Sequence, residues 1–414
     1  MQFPNGLWLT RGRILRSCIF FALILSFAFA GFSAPELCAV FVPQQKTKLP
    51  RPRQLDSGVG WQRDSASGEL ISVPSPGAEK EPKTNSSSTA ATLRVTTRMV
   101  PVTCSVFAAD GAAVAGLSRP DFRIFDDGVE QTISYFDFST VPASVALIID
   151  ASPSVLRDSE AMKQAAESLI AGLSPADEVA VVGFSAHVYE LLDFSSDREQ
   201  VRRAVSRINV RELFGDTGGS NIYEAVYLTA AKVFLGGREG RKAIVLLTDG
   251  QDSGLGLTLD PASAAPQPGK PANRLKFEDV ARRLAADDIQ VFAVSTENRP
   301  KVMTPEWLAA HAATTLVNYD ASKSGIPAYT LYLAELVRRA GGQLYFLRES
   351  QSLAEVFRRI AQRLGAEYTV GFEPAANSGT PARAGWHQLR IEVAAQPGAT
   401  VIHRAAYYVP ASTP

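Results

Sequence analysis

The chain has no excess of charge of either sign: 42 lysine and arginine residues balance 42 aspartate and glutamate residues. Without a net field, bulk composition attracts neither nucleic acid nor an anionic membrane, and function must be read from a local site. Histidine is scarce. His187, His311, His387 and His403 show no ligand spacing in the sequence and no partnered cysteine. Cysteine is scarcer still. Cys18 falls in an apolar leader, and Cys38 lies in a stretch of disordered composition, so no structural disulfide between Cys38 and Cys104 is expected. Neither Cys18 nor Cys38 follows the small-residue run of a lipoprotein site. Catalytic signatures are missing as well. Gly183-Phe-Ser185-Ala-His187 lacks the second glycine of a nucleophile elbow, and Ser185 reads as a strand-end residue. Residues 236–242 lack phosphate-loop spacing and precede a strand instead of following one. An enzyme is therefore not expected.

What is present begins with an address. Arg11, Arg13 and Arg16 precede an apolar run over residues 19–29, and Ala28-Phe29-Ala30 places small residues where a signal peptidase reads them. The run is short for a bilayer span of about 20 residues, so residues 1–30 read as a cleaved signal; the alternative is an uncleaved anchor, the one route to a membrane. Basic residues stand only on the amino side, which puts the rest of the chain outside the cytoplasm in either case, in the periplasm, the envelope or the exterior.

Residues 31–91 are rich in Pro, Ser, Gly, Lys and Glu over most of their length, without an apolar period, and read as a flexible tether. Residues 92–139 and 366–414 carry short alternating segments between Gly, Pro and Asn turns. Each flank is near the length below which a core seldom stands alone, so the two are expected to meet in one β-sandwich, with residues 140–365 inserted between them. That centre alternates strands (143–150, 178–184, 243–248, 290–295, 343–347) with helical periods such as Leu353, Val356, Phe357, Ile360 and Leu364. The pattern predicts a doubly wound, mostly parallel α/β sheet, with its site at the carboxyl ends of the strands where strand order reverses.

Three pieces of sequence fall at that edge. The first strand ends in Asp150-Ala-Ser152-Pro-Ser154; Gly218-Gly-Ser220-Asn opens a helix over 222–235; a later strand ends in Thr248-Asp249-Gly250. Two carboxylates and three hydroxyls are hard oxygen donors suited to Mg²⁺, with Mn²⁺ or Ca²⁺ as alternatives, and poorly suited to a thiol-loving metal. Too few protein ligands are present to close the shell, which leaves a position that an acidic side chain of another molecule can complete.

On these residues the chain resembles the von Willebrand factor A superfamily and, within it, exported bacterial proteins related to it. The resemblance implies a metal-ion-dependent adhesion site, with Asp150, Ser152 and Ser154 in its first motif, Ser220 at its threonine position and Asp249 as its last aspartate. It extends to the flanks, through Asp110-Gly to Phe125-Asp-Asp-Gly128, Glu367-Tyr-Thr-Val-Gly and Tyr407-Tyr-Val-Pro410. Two departures stand out: Pro153 replaces the usual glycine and stiffens the loop, and Ser220 keeps a hydroxyl without the methyl group that holds threonine's rotamer.

Residues 251–274 and 297–329 are long irregular stretches that follow strands, and so lie at the metal edge. Trp307, in Thr304-Pro-Glu-Trp307, is a candidate partner-binding anchor, with packing as the bland alternative. The expected function is metal-dependent binding of a protein ligand that supplies an Asp or Glu carboxylate. The alternative is a structural or assembly scaffold of the envelope whose metal site is vestigial or purely structural.

Overall fold

A computed structural model describes residues 50–55, 60–63, 70–73, 99–108, 112–139, 141–152, 159–209, 219–235, 240–255, 275–304, 325–346, 353–364, 367–374, 383–395 and 398–410. The expected signal and Cys38 lie outside these residues. Among the described residues no helix is long and apolar enough to cross a membrane.

The centre folds as expected. Strands β8 (Ala143–Asp150), β9 (Glu178–Phe184), β11 (Arg241–Thr248), β12 (Ile289–Ser295) and β13 (Leu344–Phe346) pair in parallel, in the order β9-β8-β11-β12-β13. All eight residues of β8 are buried, because both faces of a parallel sheet are covered and a continuous apolar run is the solution. Period-two alternation divides it between two cores. Val145, Leu147 and Ile149 meet helices α1 (Ser159–Gly172), α2 (Arg198–Val205) and α6 (Leu353–Arg363); Ala146 and Ile148 meet α3 (Ile222–Leu228), α4 (Phe277–Ala286) and α5 (Ala328–Ala340). The helical period read over 353–364 is the buried face of α6, with Val356, Phe357 and Ile360 at 1%, 1% and 0% exposure. The helix expected over 222–235 is α-helical only to Leu228 and continues as a π turn, Thr229–Val233.

Two additions extend the sheet. Strand β10 (Val188–Ser195) returns antiparallel to β9 after a tight turn in which Ser185 donates its N–H to the His187 carbonyl. Beyond it lies β1 (Arg53–Gln54), antiparallel to β10. This corrects the reading of residues 31–91 as one continuous tether. Leu55 is 2% exposed in the second core, its N–H bonds the Val188 carbonyl at 2.8 Å, and Arg53 pairs with Glu190. A further hairpin joins β2 (Gly60–Arg63) to β3 (Leu70–Val73). Two residues on a sheet edge are too few for a period to register, so composition dominated the reading.

The flanks interleave into one β-sandwich. One sheet has the order β16 (Thr400–His403), β4 (Val100–Phe107), β14 (Glu367–Phe372), β7 (Ile133–Ser139). The other has the order β17 (Ala406–Val409), β15 (Gly385–Val393), β5 (Phe122–Asp126), β6 (Val129–Gln131). Amino- and carboxyl-flank strands are direct neighbours, with Tyr368 opposite Cys104 and Ile391 opposite Ile124. Val102, Cys104, Tyr368, Val370, Ile124 and Ile391 fill the space between the sheets. Cys104 is a buried free thiol, and burial pushes its pKa up. The Tyr368 hydroxyl donates to the Val114 carbonyl (2.9 Å) and accepts from Leu117 N–H (3.1 Å). Tyr368→Phe should therefore lose roughly 1–3 kcal/mol in urea melts, since two backbone groups lose their partner.

The sandwich is joined to the α/β centre by polar contacts. Arg404 donates to the Ala285 carbonyl at 3.0 Å, Ala405 N–H bonds the Arg338 carbonyl at 3.0 Å, and Trp386 Nε1–H donates to Glu278 at 2.8 Å. Glu367, 3% exposed at the start of β14, lies 3.8 Å from Arg241. Burial outweighs that partner and pushes Glu367 up from 4.5 to about 7. A carboxyl whose folded pKa is raised binds protons more tightly folded than unfolded, so stability falls as pH rises from about 4.5 to about 7. At about 1.4 kcal/mol per pH unit the loss is roughly 3 kcal/mol by pH 8. Glu367→Gln should flatten that part of the profile and raise the urea midpoint at pH 8, less what Arg241 loses; an unchanged slope between pH 4.5 and 7 would show that Glu367 does not carry it.

Candidate metal centre

The chain leaves β8 for β9 and β10 on one side and returns, through α3, to β11 on the other, so strand order reverses between β8 and β11. Asp150 ends β8, Ser220 precedes α3, and Asp249 follows β11. The switch point thus gathers residues separated by up to about a hundred positions.

Asp150 is the centre of the arrangement. It is fully buried. Oδ1 accepts the Ser152 N–H at 2.9 Å, while Oδ2 accepts the Ser220 hydroxyl and the Thr248 hydroxyl, each at 2.9 Å. These donors fix both carboxylate oxygens. Burial, followed by the neighbouring Asp249 carboxylate, pushes Asp150 up from 3.8 to about 6. The second largest influence on a buried acid is thus another acid, an arrangement that a divalent cation relieves.

A strap after β11 holds the other pieces in place. Asp249 turns the chain by accepting Gln251 N–H at 3.0 Å, and Thr248 Oγ1 accepts Gly250 N–H at 3.0 Å. Asp252, 1% exposed, accepts Tyr223 N–H (3.1 Å) at the start of α3 and Leu255 N–H (2.6 Å). Ser253 N–H donates to the Ser220 carbonyl at 2.7 Å, and its hydroxyl accepts Ser220 N–H at 3.2 Å. Asn221 ties the same point to the β9–β10 turn through Ser185 and Ala186 carbonyls. The backbone of Ser220 is therefore held on both sides, and its hydroxyl is directed by the bond to Asp150. Tyr329 stands at the same edge, where burial and the Glu297 and Asp249 carboxylates push its hydroxyl up to about 12 and keep it protonated.

Of the sequence-predicted ligands, the structure brings Asp150, Ser152, Ser220 and Asp249 to one edge; Ser154 and Trp307 lie outside the described residues. Thr248, Asp252, Ser253 and Tyr329 were not singled out from the sequence. Thr248 and Asp252 flank the Asp249-Gly turn, and their proximity to it was the available signal. Tyr329 lies on α5 and nothing local marked it.

Residues 145–251 match the sequence model of the von Willebrand factor type A domain. The chain contains a von Willebrand factor type A domain. No curated protein sequence matches it. Among solved structures, an aerotolerance-related membrane protein of Bacteroides fragilis is similar at 17% identity and a TM-score of 0.36, over 54% of this chain and 98% of that one. A von Willebrand factor type A protein from Catenulispora acidiphila is 14% identical, with a TM-score of 0.36, over 71% of this chain and 75% of that one. Proximal thread matrix protein 1 of the mussel byssus, solved with a zinc-occupied MIDAS motif, is 14% identical with a TM-score of 0.36, over 57% of this chain and 49% of that one. The type A domain contributes β8, β11 and the Asp150–Ser220–Thr248 cluster, and the sandwich is built outside the matched segment.

The donor set fits a hard divalent ion, because every candidate ligand offers oxygen and, among the described residues, no thiol or imidazole enters the cluster. Asp150, Ser152, Ser220 and Asp249 are the residues that would hold it.

Proposed function

We propose that this is an exported binding protein whose type A domain holds one divalent cation, Mg²⁺ first and Mn²⁺ or Ca²⁺ as alternatives, and uses it to capture a protein partner through an Asp or Glu side chain. The observation that carries the reading is Asp150: a fully buried carboxylate fixed by three donors, with a second carboxylate as its neighbour. The ion supplies positive charge and an open coordination position. The chain's own residues hold the two carboxylates in place before a partner arrives, and preorganisation of this kind lowers the cost of binding.

Export rests on the basic and apolar leader at residues 11–30. A binding role, in preference to catalysis, rests on the donor chemistry of the site: the carboxylates are held by hydrogen bonds, and among the described residues no histidine joins them as a general base. The test is calorimetric titration of Mg²⁺, Mn²⁺ and Ca²⁺ into the chain, followed by partner capture with and without chelator. Saturable binding that is lost in Asp150→Ala, together with capture that chelator reverses, is the expected result. Capture unaffected by chelator would assign partner binding to the β-sandwich and make the chain a scaffold.

A further inference from the structure

A second cluster lies away from the type A site, in the sandwich. Strand β5 turns into β6 through Asp127 (φ 47°) and Gly128 (φ 85°), the left-handed pair of a two-residue hairpin. The turn is clamped to β15, where Asp127 N–H donates to the Gln388 carbonyl (2.9 Å) and Gln388 N–H donates to Asp127 Oδ1 (2.8 Å). These contacts aim the Asp126 and Asp127 carboxylates at His387. Asp127 Oδ2 is 3.0 Å and Asp126 Oδ1 is 3.3 Å from His387 Nδ1. Asp126 and His387 are 8% and 5% exposed; Asp127 is open to solvent.

The other atoms of the cluster are accounted for. His387 Nε2 lies 2.6 Å from the Arg383 carbonyl, which can only accept, so Nε2 carries a proton. The Tyr407 hydroxyl donates to Asp126 Oδ2 at 2.9 Å. What remains is Nδ1, facing two carboxylate oxygens. Both Nδ1 and Asp126 Oδ1 are buried without a hydrogen-bond partner. The two oxygens stand 3.0 and 3.3 Å from Nδ1 without a hydrogen bond between them and the ring. A metal ion is satisfied by ligands that flank each other. Donors bound to one ion at about 2.0–2.2 Å stand roughly 2.8–3.6 Å apart, and the two observed separations fall in that interval.

We propose that Asp126, Asp127 and His387 form a second divalent-metal site, for zinc or a similar borderline ion, that clamps the amino flank to the carboxyl flank. One imidazole and two carboxylates are a donor set for such an ion, unlike the all-oxygen set at the sheet edge. Surrounding contacts match that role: a ligating imidazole characteristically donates its other N–H to a carbonyl, as to Arg383, and a ligating carboxylate is itself hydrogen-bonded, as by Tyr407. Solvent exposure of Asp127 gives the ion an entry path and leaves room for water to complete the shell. His387 is 260 residues from Asp127 in sequence, so loading the site crosslinks the two halves of the sandwich.

The test is zinc titration of the whole chain carrying Asp249→Ala, which disables the sheet-edge site and separates the two proposals. One equivalent of zinc is expected, and it should weaken at least tenfold when Asp127→Asn or His387→Gln is added. Asparagine tolerates the left-handed backbone at 127, so Asp127→Asn keeps the turn while removing the charge. The His387 ring ¹⁵N signals should report metal at Nδ1 and a proton at Nε2. No zinc uptake, uptake undiminished by Asp127→Asn, or ring signals that show protons on both nitrogens with zinc present would overturn the proposal and make the cluster a plain His–Asp ion pair.

Discussion

Asp150→Asn should leave the protein folded but unable to respond to divalent cation. Wild type in Mg²⁺ at about 100 times its dissociation constant should gain roughly 2.7 kcal/mol over the same protein in chelator, and the variant should gain nothing measurable. The amide keeps the volume of a fully buried side chain and its oxygen can still accept from the Ser220 and Thr248 hydroxyls, but its nitrogen cannot accept the Ser152 N–H. It loses the charge, and with it the repulsion from Asp249 that opposes ionisation of Asp150. In chelator the relieved repulsion and the lost Ser152 bond offset each other, so the variant should lie within about 1–2 kcal/mol of wild type, and it should fall behind by a further ~2.7 kcal/mol once Mg²⁺ is present. Urea melts of both proteins with and without Mg²⁺ read all four states. A variant that still gains stability from Mg²⁺ would place the ion elsewhere, and a wild type that gains none would leave the type A domain as a scaffold.

Gly342→Ala should be the most damaging small substitution in the sheet. Gly341 ends α5 in the left-handed conformation, and the N–H groups of Gly341 and Gly342 both bond the Val337 carbonyl. This tight ending drops the chain directly against β12, where a Cβ on Gly342 would stand 1.8 Å from the Val291 carbonyl oxygen and 2.4 Å from its carbon. Neither atom can yield, because β12 is paired with β11 on one side and β13 on the other. The variant should lose about 4 kcal/mol or more, read as a collapsed urea midpoint or as insoluble expression. Gly398→Ala is the opposite case: its φ of 85° is strained for alanine, but nothing lies within reach of the added carbon. It should cost only about 1–2 kcal/mol. Gly342 itself has no positive φ, so a loss no larger than that of Gly398→Ala would show that β12 yields to the added carbon.

Much of the type A site was legible because its residues sit at element ends that periodicity locates. An unbroken apolar run stops at Asp150, another stops at Thr248, and Ser220 stands just before a helical period. Residue type then supplied the chemistry, since carboxylates and hydroxyls at the carboxyl edge of a parallel sheet are hard donors wherever the loops bring them. The backbone strap through Asp252 and Ser253 was not legible, because its hydrogen bonds depend on where α3 begins in space. The same limit hid His387: it showed no ligand spacing because its neighbours, Asp126 and Asp127, are brought to it by β-pairing between the two flanks.

By itself, then, the sequence determined which segments are buried on both faces, which are buried on one, and which residue types end them. These are local properties, carried by periods of two and of about three and a half residues. Tertiary structure alone decided the pairing of β4 with β14 and of β5 with β15, the antiparallel return of β10, and the capture of Arg53–Gln54 at the sheet edge. Pairing is settled by complementarity between surfaces that do not exist until the segments fold, and a two-residue strand has no period to announce it. Both candidate metal sites are products of that second stage, assembled from short pieces that carry their chemistry in sequence and their geometry only in the fold.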